Sequence, residues 1–361
     1  MSNLKFAYWV PNVSGGLVVS TIPQQTRWSF EANKEYAQTA EQNGFEYALL
    51  QTRFIASYGA DKQLEAAALG SALAAVTKKI RLISAVHPGL WHPAVYAKIL
   101  STIDQVSGGR VAVNVVSGWF KGEFTAFGEP WLEHDERYRR SEEFIRVLRA
   151  LWTEEKATYR GDFYRLTDAP HKPKPKENGI PVFQGGNSKA ARKMAARVSD
   201  WYFMNGNTNR GIREQIDDVQ GLAKKEGRNV KFALNGFVIV RDTEEEAVEQ
   251  LEAIIGHANE EAVEGFRDAV QQAGASTPDG EGMWANSSFD DLVQYNDGFK
   301  TGLIGTPEQV ADRIIELKQL GVDLILTAFL NYDTELEAFG KTVIPLVREK
   351  EEALQRKEAA A

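Results

Sequence analysis

The chain has no cysteine. That excludes disulfides, thiolate nucleophiles and cysteine-ligated metals together. Histidine is scarce: His87, His92, His134, His171 and His257 show no HxH, HxxxH or HExxH spacing, so the residues offer no dedicated zinc site. No GxGxxG follows an apolar run, and no GxxxxGKS or GxxxxGKT occurs, which argues against Rossmann and P-loop nucleotide sites. A GxSxG elbow is also missing. No apolar stretch reaches ~18 residues, so nothing reads as a membrane span. The start, Met1-Ser2-Asn3-Leu4-Lys5, lacks a secretory pattern, and a cytoplasmic location is expected. Net charge is −8 and no basic cluster interleaves with aromatics, so nucleic acid is a poor partner. Demanding chemistry on such a chain must come from carboxylates, histidine or a borrowed cofactor.

What is present is a long alternation of strands and helices. At 361 residues, 43% of them apolar, the chain can build one large α/β barrel or two ordinary domains. Strands are expected at 5–10, 45–51, 80–86, 111–116, 181–184, 201–204, 232–240 and 322–329, with amphipathic helices between them. The clearest helix covers 134–152, where Tyr138, Ser141, Phe144, Ile145, Leu148, Leu151 and Trp152 share one face. Eight such repeats without a linker predict an α/β fold of the (β/α)₈ TIM-barrel type, in a single domain over 1–350. The rhythm breaks at 260–300, which reads as an insertion before the last strand, with Ala275–Ser287 as a lid. The stretch 161–180 reads as a surface excursion. Residues 351–361 form a charged tail expected to fray.

A barrel places its chemistry at the carboxyl ends of its strands. The residues arriving there are Asn12 and Ser14, Gln51 and Arg53, His87, Asn114 and Trp119, Gln184 to Ser188, and Asn205. Asn114 stands out as one amide inside the apolar run Val111–Val116, where a buried unpaired amide costs about 1–3 kcal/mol. Gly185-Gly186-Asn187-Ser188 leaves a strand and opens a helix, which suits either a phosphate cradle or a plain tight turn. Tyr138-Arg139-Arg140-Ser141 puts two cations near a helix N-terminus, against the dipole unless an anion binds nearby. Trp9, Trp28, Trp91, Trp119, Trp131 and Trp201 are expected in or near the upper loops.

Taken together, NVVSGW, KGEF, ERYRRSEEF, QGGNS and IGTPEQV resemble the bacterial luciferase-like flavin monooxygenases, over nearly the whole chain. The resemblance implies FMN as cofactor, supplied as FMNH2 by a separate NAD(P)H:FMN reductase, with O2 as co-substrate and no metal. It implies cofactor-binding roles for Asn114, Glu123, Tyr138, Arg140, Ser141, Gly186, Asn187 and Ser188, and a homodimer or homotetramer. Within the family, FAYWVPNVSGG, SGWFKGEF and DGEGMWANSSFDDLVQYNDGFKTGLIGTP are similar to members acting on dimethyl sulfone. That implies oxidation of a small sulfone to methanesulfinate and formaldehyde for sulfur scavenging. Alkanesulfonate-oxidising cousins carry a Cys after strand two and Arg and His on strand seven. This chain lacks the Cys and offers Asn235 and Phe237 instead, which suits a neutral sulfone better than a sulfonate anion. Asn12, Trp119 and Asn235 are then expected in the substrate pocket. Two alternatives stay open at this point: a pyrimidine or other organosulfur substrate, and flavin binding without turnover.

Overall fold

In a computed structural model that describes residues 2–177, 179–271, 282 and 284–360, eight parallel strands close into a barrel. They are β1 (Lys5–Val10), β2 (Tyr47–Leu50), β3 (Arg81–Val86), β4 (Val111–Val115), β5 (Val182–Gly185), β6 (Trp201–Met204), β7 (Lys231–Phe237) and β8 (Leu324–Ala328). Each pairs with its neighbours in sequence, and β8 closes on β1 with Tyr8 beside Thr327. The strands are buried on both faces because helices pack outside, which is why they read as continuous apolar runs. Side chains alternate across the sheet. Ala7, Leu49, Ile83, Ala112, Phe183, Trp201, Ala233 and Leu324 fill the barrel interior as one cluster. Trp201 belongs to that interior, stacked on Phe183 at 5.0 Å, and not to the upper loops where the sequence suggested it.

The helices start and stop on expected signals. His92 accepts from the Ala94 N–H at the start of helix Pro93–Ser107, and Gly108 ends it with φ 76°. Thr306 and Gln309 form a capping box ahead of helix Pro307–Gln319.

Four features differ from expectation. The stretch 161–180 begins inside an antiparallel hairpin, Lys156–Arg160 with Arg165–Pro170. A short helix, Lys121–Ala126, follows β4. The seventh strand ends at Phe237, and Ile239–Val240 leaves the barrel to pair with Ile304–Gly305. The C-terminus continues as one helix, Tyr332–Ala360, instead of fraying after Lys350. Buried Glu351 explains this, because its carboxylate accepts from the Leu4 N–H at 2.6 Å, Lys318 at 2.5 Å and Arg348 at 2.6 Å.

The 260–300 segment contributes helix Glu260–Val270, helix Phe289–Leu292 and a 3₁₀ turn at Gly298–Thr301. Phe266 packs edge-on against Trp119 at 5.4 Å, so this segment sits on the loop after β4. Most of the suggested lid, Ala275–Ser287, lies outside the described residues. No described helix is long and apolar enough to cross a membrane.

Candidate active site

The alternation along each strand sets the floor of the site. Inward-facing residues toward the carboxyl ends of β1 to β8, with one residue past β2, are Trp9, Gln51, Ala85, Asn114, Gly185, Phe203, Asn235 and Leu326. All eight line one cavity of about 180 Å³ at the carboxyl ends of the strands. Loop residues Arg53 and Trp119, with Arg137 and Tyr138 from helix His134–Thr153, form its walls. The 260–300 segment supplies Phe266, Trp284, Tyr295 and Asn296. Half of the lining residues are aromatic or aliphatic, and polar side chains converge among them, the usual make-up of a small-molecule site.

Asn114 is 8% exposed, and its side-chain oxygen has no hydrogen-bond partner. The amide therefore does not serve a neighbouring loop, and its oxygen awaits a donor in the cavity. Beside it, Gly186 adopts φ 126°, and a Cβ there would lie 2.4 Å from the Tyr138 hydroxyl. Burial raises the Tyr138 pKa, so the phenol stays neutral, and its hydroxyl faces the Gly186 turn. Ser188 caps helix Lys189–Val198 by accepting from the Ala191 N–H at 3.3 Å. Asn187 accepts from Arg192 at 3.0 Å and lines a second, polar cavity of about 100 Å³ that shares Gly186. The glycine turn and Tyr138 thus line one edge of the main cavity, with the positive end of helix Lys189–Val198 just behind them, an arrangement suited to an anion.

Three residues expected around the cofactor stand behind the cavity wall. Glu123 is fully buried, and its Oε1 accepts from the Phe54 and Ile55 N–H groups at 2.5 and 2.8 Å. It thereby shapes the loop that carries Arg53. Arg140 is buried against Gly89, with its guanidinium 5.6 Å from the Phe124 ring centre and Nε and Nη2 unpartnered. The Ser141 hydroxyl is likewise buried without a partner. His87 lies among them; burial lowers its pKa, with Glu123 opposing, and Nδ1 bonds to the Val116 carbonyl at 3.0 Å.

The three expected substrate residues separate as well. Trp119 lines the cavity. Asn12 does not: it is buried to the side, donating to the Gln51 and Leu64 carbonyls at 3.0 and 2.7 Å. It sits beyond the end of β1, where strand alternation no longer aims side chains inward. Asn235 lines the cavity, but both ends of its amide are engaged. Its oxygen accepts from the Trp9 indole at 2.6 Å, and its nitrogen donates to the Asn296 carbonyl at 3.1 Å and Gln294 at 3.3 Å. Asn235 thus pins the inserted segment to β7.

Cations missing from the carboxyl end of β7 enter from elsewhere. Arg53, arriving after β2, and Arg137, on helix His134–Thr153, both line the cavity. Arg139 instead pairs with Glu136 and Asp162 at the surface. Helical spacing carried a usable signal, because Arg137 stands four residues before Ser141 and seven before Phe144, on the buried face.

Residues 4–324 match the family described as luciferase-like monooxygenase. A protein described as FMNH2-dependent dimethylsulfone monooxygenase, from Pseudomonas putida, is 60% identical over 99% of this chain and 98% of its own length. One with the same description from Pseudomonas fluorescens (strain Pf0-1) is 59% identical over 98% of this chain and 96% of its own. The crystal structure of DmoA from Hyphomicrobium sulfonivorans superposes with a TM-score of 0.81 at 20% identity, covering 97% of this chain and 89% of that one, a likeness of fold alone.

Proposed function

The chain belongs to the luciferase-like monooxygenase family, and from that premise we propose that it is an FMNH2-dependent monooxygenase of dimethyl sulfone. Its products are methanesulfinate and formaldehyde, its flavin comes from a separate NAD(P)H:FMN reductase, and its role is cytoplasmic sulfur scavenging. The observation that carries this reading is the 60% identity, across almost all of both chains, to a relative described by that activity.

The residues present fit FMN. The unpartnered Asn114 oxygen offers an acceptor in a largely apolar cavity, which a flat heteroaromatic ring with N–H groups satisfies. Gly186, Asn187, Ser188 and Tyr138 offer donors at the cavity edge, which a phosphate satisfies. Glu123, Arg140 and Ser141 act at one remove in this reading, by fixing the loops around the ring. Bound in reduced form, the flavin supplies the two electrons that place one atom of O2 in the substrate and the other in water.

The protein's contribution is to bind, orient and keep water out. Trp9, Trp119, Phe203, Phe266, Trp284 and Tyr295 give a dry enclosure, which protects a reactive oxygen species from release as H2O2. We assign the described part of the 260–300 segment as the cover of a single 1–350 domain, and the assembly as a homodimer or homotetramer. The test is a coupled assay with FMN, NADH and a generic flavin reductase. Sulfone-dependent formaldehyde is the expected result; none, with bound FMN, leaves a flavin-binding protein of another activity.

A further inference from the structure

We propose that Arg53 is a catalytic residue that receives the sulfinate leaving group, taking up the charge that appears on its oxygens as the carbon–sulfur bond breaks. The inference rests on the function proposed above and adds a role for a side chain in the same cavity.

Arg53 is 4% exposed and lines the main cavity. Its guanidinium lies 5.6 Å from the Trp119 ring centre and 5.4 Å from that of Tyr295. Among the described residues its hydrogen bonds go to Ser57, through the hydroxyl at 3.0 Å and the carbonyl at 3.4 Å. Neither acceptor is a carboxylate. Arg27, Arg149, Arg197 and Arg348 each meet one. Burying a guanidinium without an anion is costly, and one neutral residue with two aromatic faces returns only part of that cost. The charge is fixed by its aromatic neighbours and faces the place where substrate binds.

The reaction supplies the missing anion only as it proceeds. Dimethyl sulfone is neutral. Once O2 and the reduced flavin have hydroxylated one methyl group, the carbinol O–H gives its proton to water. The oxygen forms a C=O bond, the carbon–sulfur bond breaks, and its electron pair stays on the sulfonyl group as methanesulfinate. A fixed cation beside those oxygens gains attraction along this path, so it lowers the barrier more than it tightens substrate binding. Arg53 thus supplies the cation that the cavity end of β7 lacks.

The experiment compares wild type, Arg53→Lys and Arg53→Met, each loaded with FMN. Methanesulfinate and dimethyl sulfone are titrated by tryptophan fluorescence, and formaldehyde is measured at steady state. Loss of one charge-assisted bond is expected to weaken methanesulfinate binding at least about tenfold in Arg53→Met. Sulfone KM and FMN affinity should stay within about threefold, kcat should fall at least about tenfold, and Arg53→Lys should lie between. Unchanged sulfinate affinity and kcat in Arg53→Met overturns the proposal, as does an equal loss of sulfone, sulfinate and FMN binding. If Arg53→Met does not fold, the wild-type protein decides. Methanesulfinate should bind at least about tenfold tighter than neutral dimethyl sulfoxide, and equal binding overturns the role. Wild type that binds sulfinate through Arg53 yet makes no formaldehyde from the sulfone contradicts the proposed substrate instead.

Discussion

Replacing Asn235 with alanine removes the amide that ties the inserted segment to β7. Three hydrogen bonds go at once: from the Trp9 indole, to the Asn296 carbonyl and to Gln294. Two neutral bonds are worth about 1 kcal/mol each, and an orphaned indole N–H adds up to about 3 kcal/mol. The Trp9 bond joins β1 to β7 and does not hold the segment, so only the other two count toward docking. The expected loss of docking is about 2 kcal/mol, or a roughly thirtyfold larger undocked population. Amide exchange reads this directly. The Gly206 N–H donates to the Asn296 carbonyl at 3.1 Å, and the Gly298 N–H donates to Gln294 at 2.8 Å. Both should exchange about thirtyfold faster in Asn235→Ala, while amides in β4 stay unchanged. Turnover should release more H2O2 per formaldehyde, because the cover closes less often. Wild-type exchange at both glycines would refute the pinning role. Wild-type exchange with a selective rise in sulfone KM would return Asn235 to direct substrate contact.

Other perturbations address separate parts of the account. Gly186→Ala forces a side chain onto φ 126° and against the Tyr138 hydroxyl, costing about 1–3 kcal/mol. It should weaken FMN binding at least about tenfold in a fluorescence titration while the far-UV spectrum is unchanged. Burial, helped by Lys98 and Lys174, pushes the His171 pKa down to about 4, and the ring bonds to the Ser101 hydroxyl at 2.8 Å. The unfolded chain binds this proton below about pH 6.5 and the folded protein only near pH 4, so acidification through that window costs stability. After discounting for solvent screening the loss is about 1.5 kcal/mol, and His171→Gln should flatten the urea midpoint over that range. Glu351→Ala strands Lys318 and Arg348 beside the Leu4 N–H and should cost about 3–5 kcal/mol in urea unfolding. FMN affinity should stay at the wild-type value, since Glu351 lies among the helices and not at the cavity.

The barrel was legible because its strands are buried on both faces, which leaves uninterrupted apolar runs such as Val111–Val115. The hairpin Lys156–Pro170 was not, since half its side chains are exposed and nearby prolines imitate a loop. Helix Lys121–Ala126 is six residues long, carries Gly122 and has no side-chain cap, so it left no signature. At the site, Asn114 was visible as a lone amide in an apolar run. Asn12 misled because proximity to a strand end does not fix side-chain direction once the chain has left the sheet. Arg53 gave no distinctive motif, since a cation facing a cavity looks, in sequence, like one facing water, and Arg137 was marked only by its helical spacing from Ser141 and Phe144. The C-terminal helix was underestimated because Glu351 becomes an anchor only through Leu4 and Lys318, remote positions that no local pattern connects.

The central claim is that the mouth of this barrel holds reduced FMN through Asn114 and the Gly186–Ser188 turn. An anaerobic titration with FMNH2, followed by tryptophan fluorescence, tests it most directly. The account expects saturable binding with Kd on the order of micromolar or tighter, weakened at least about tenfold by Asn114→Leu. Wild-type protein that fails to bind reduced FMN at that level, or an Asn114→Leu variant that binds it as well as wild type, would contradict it.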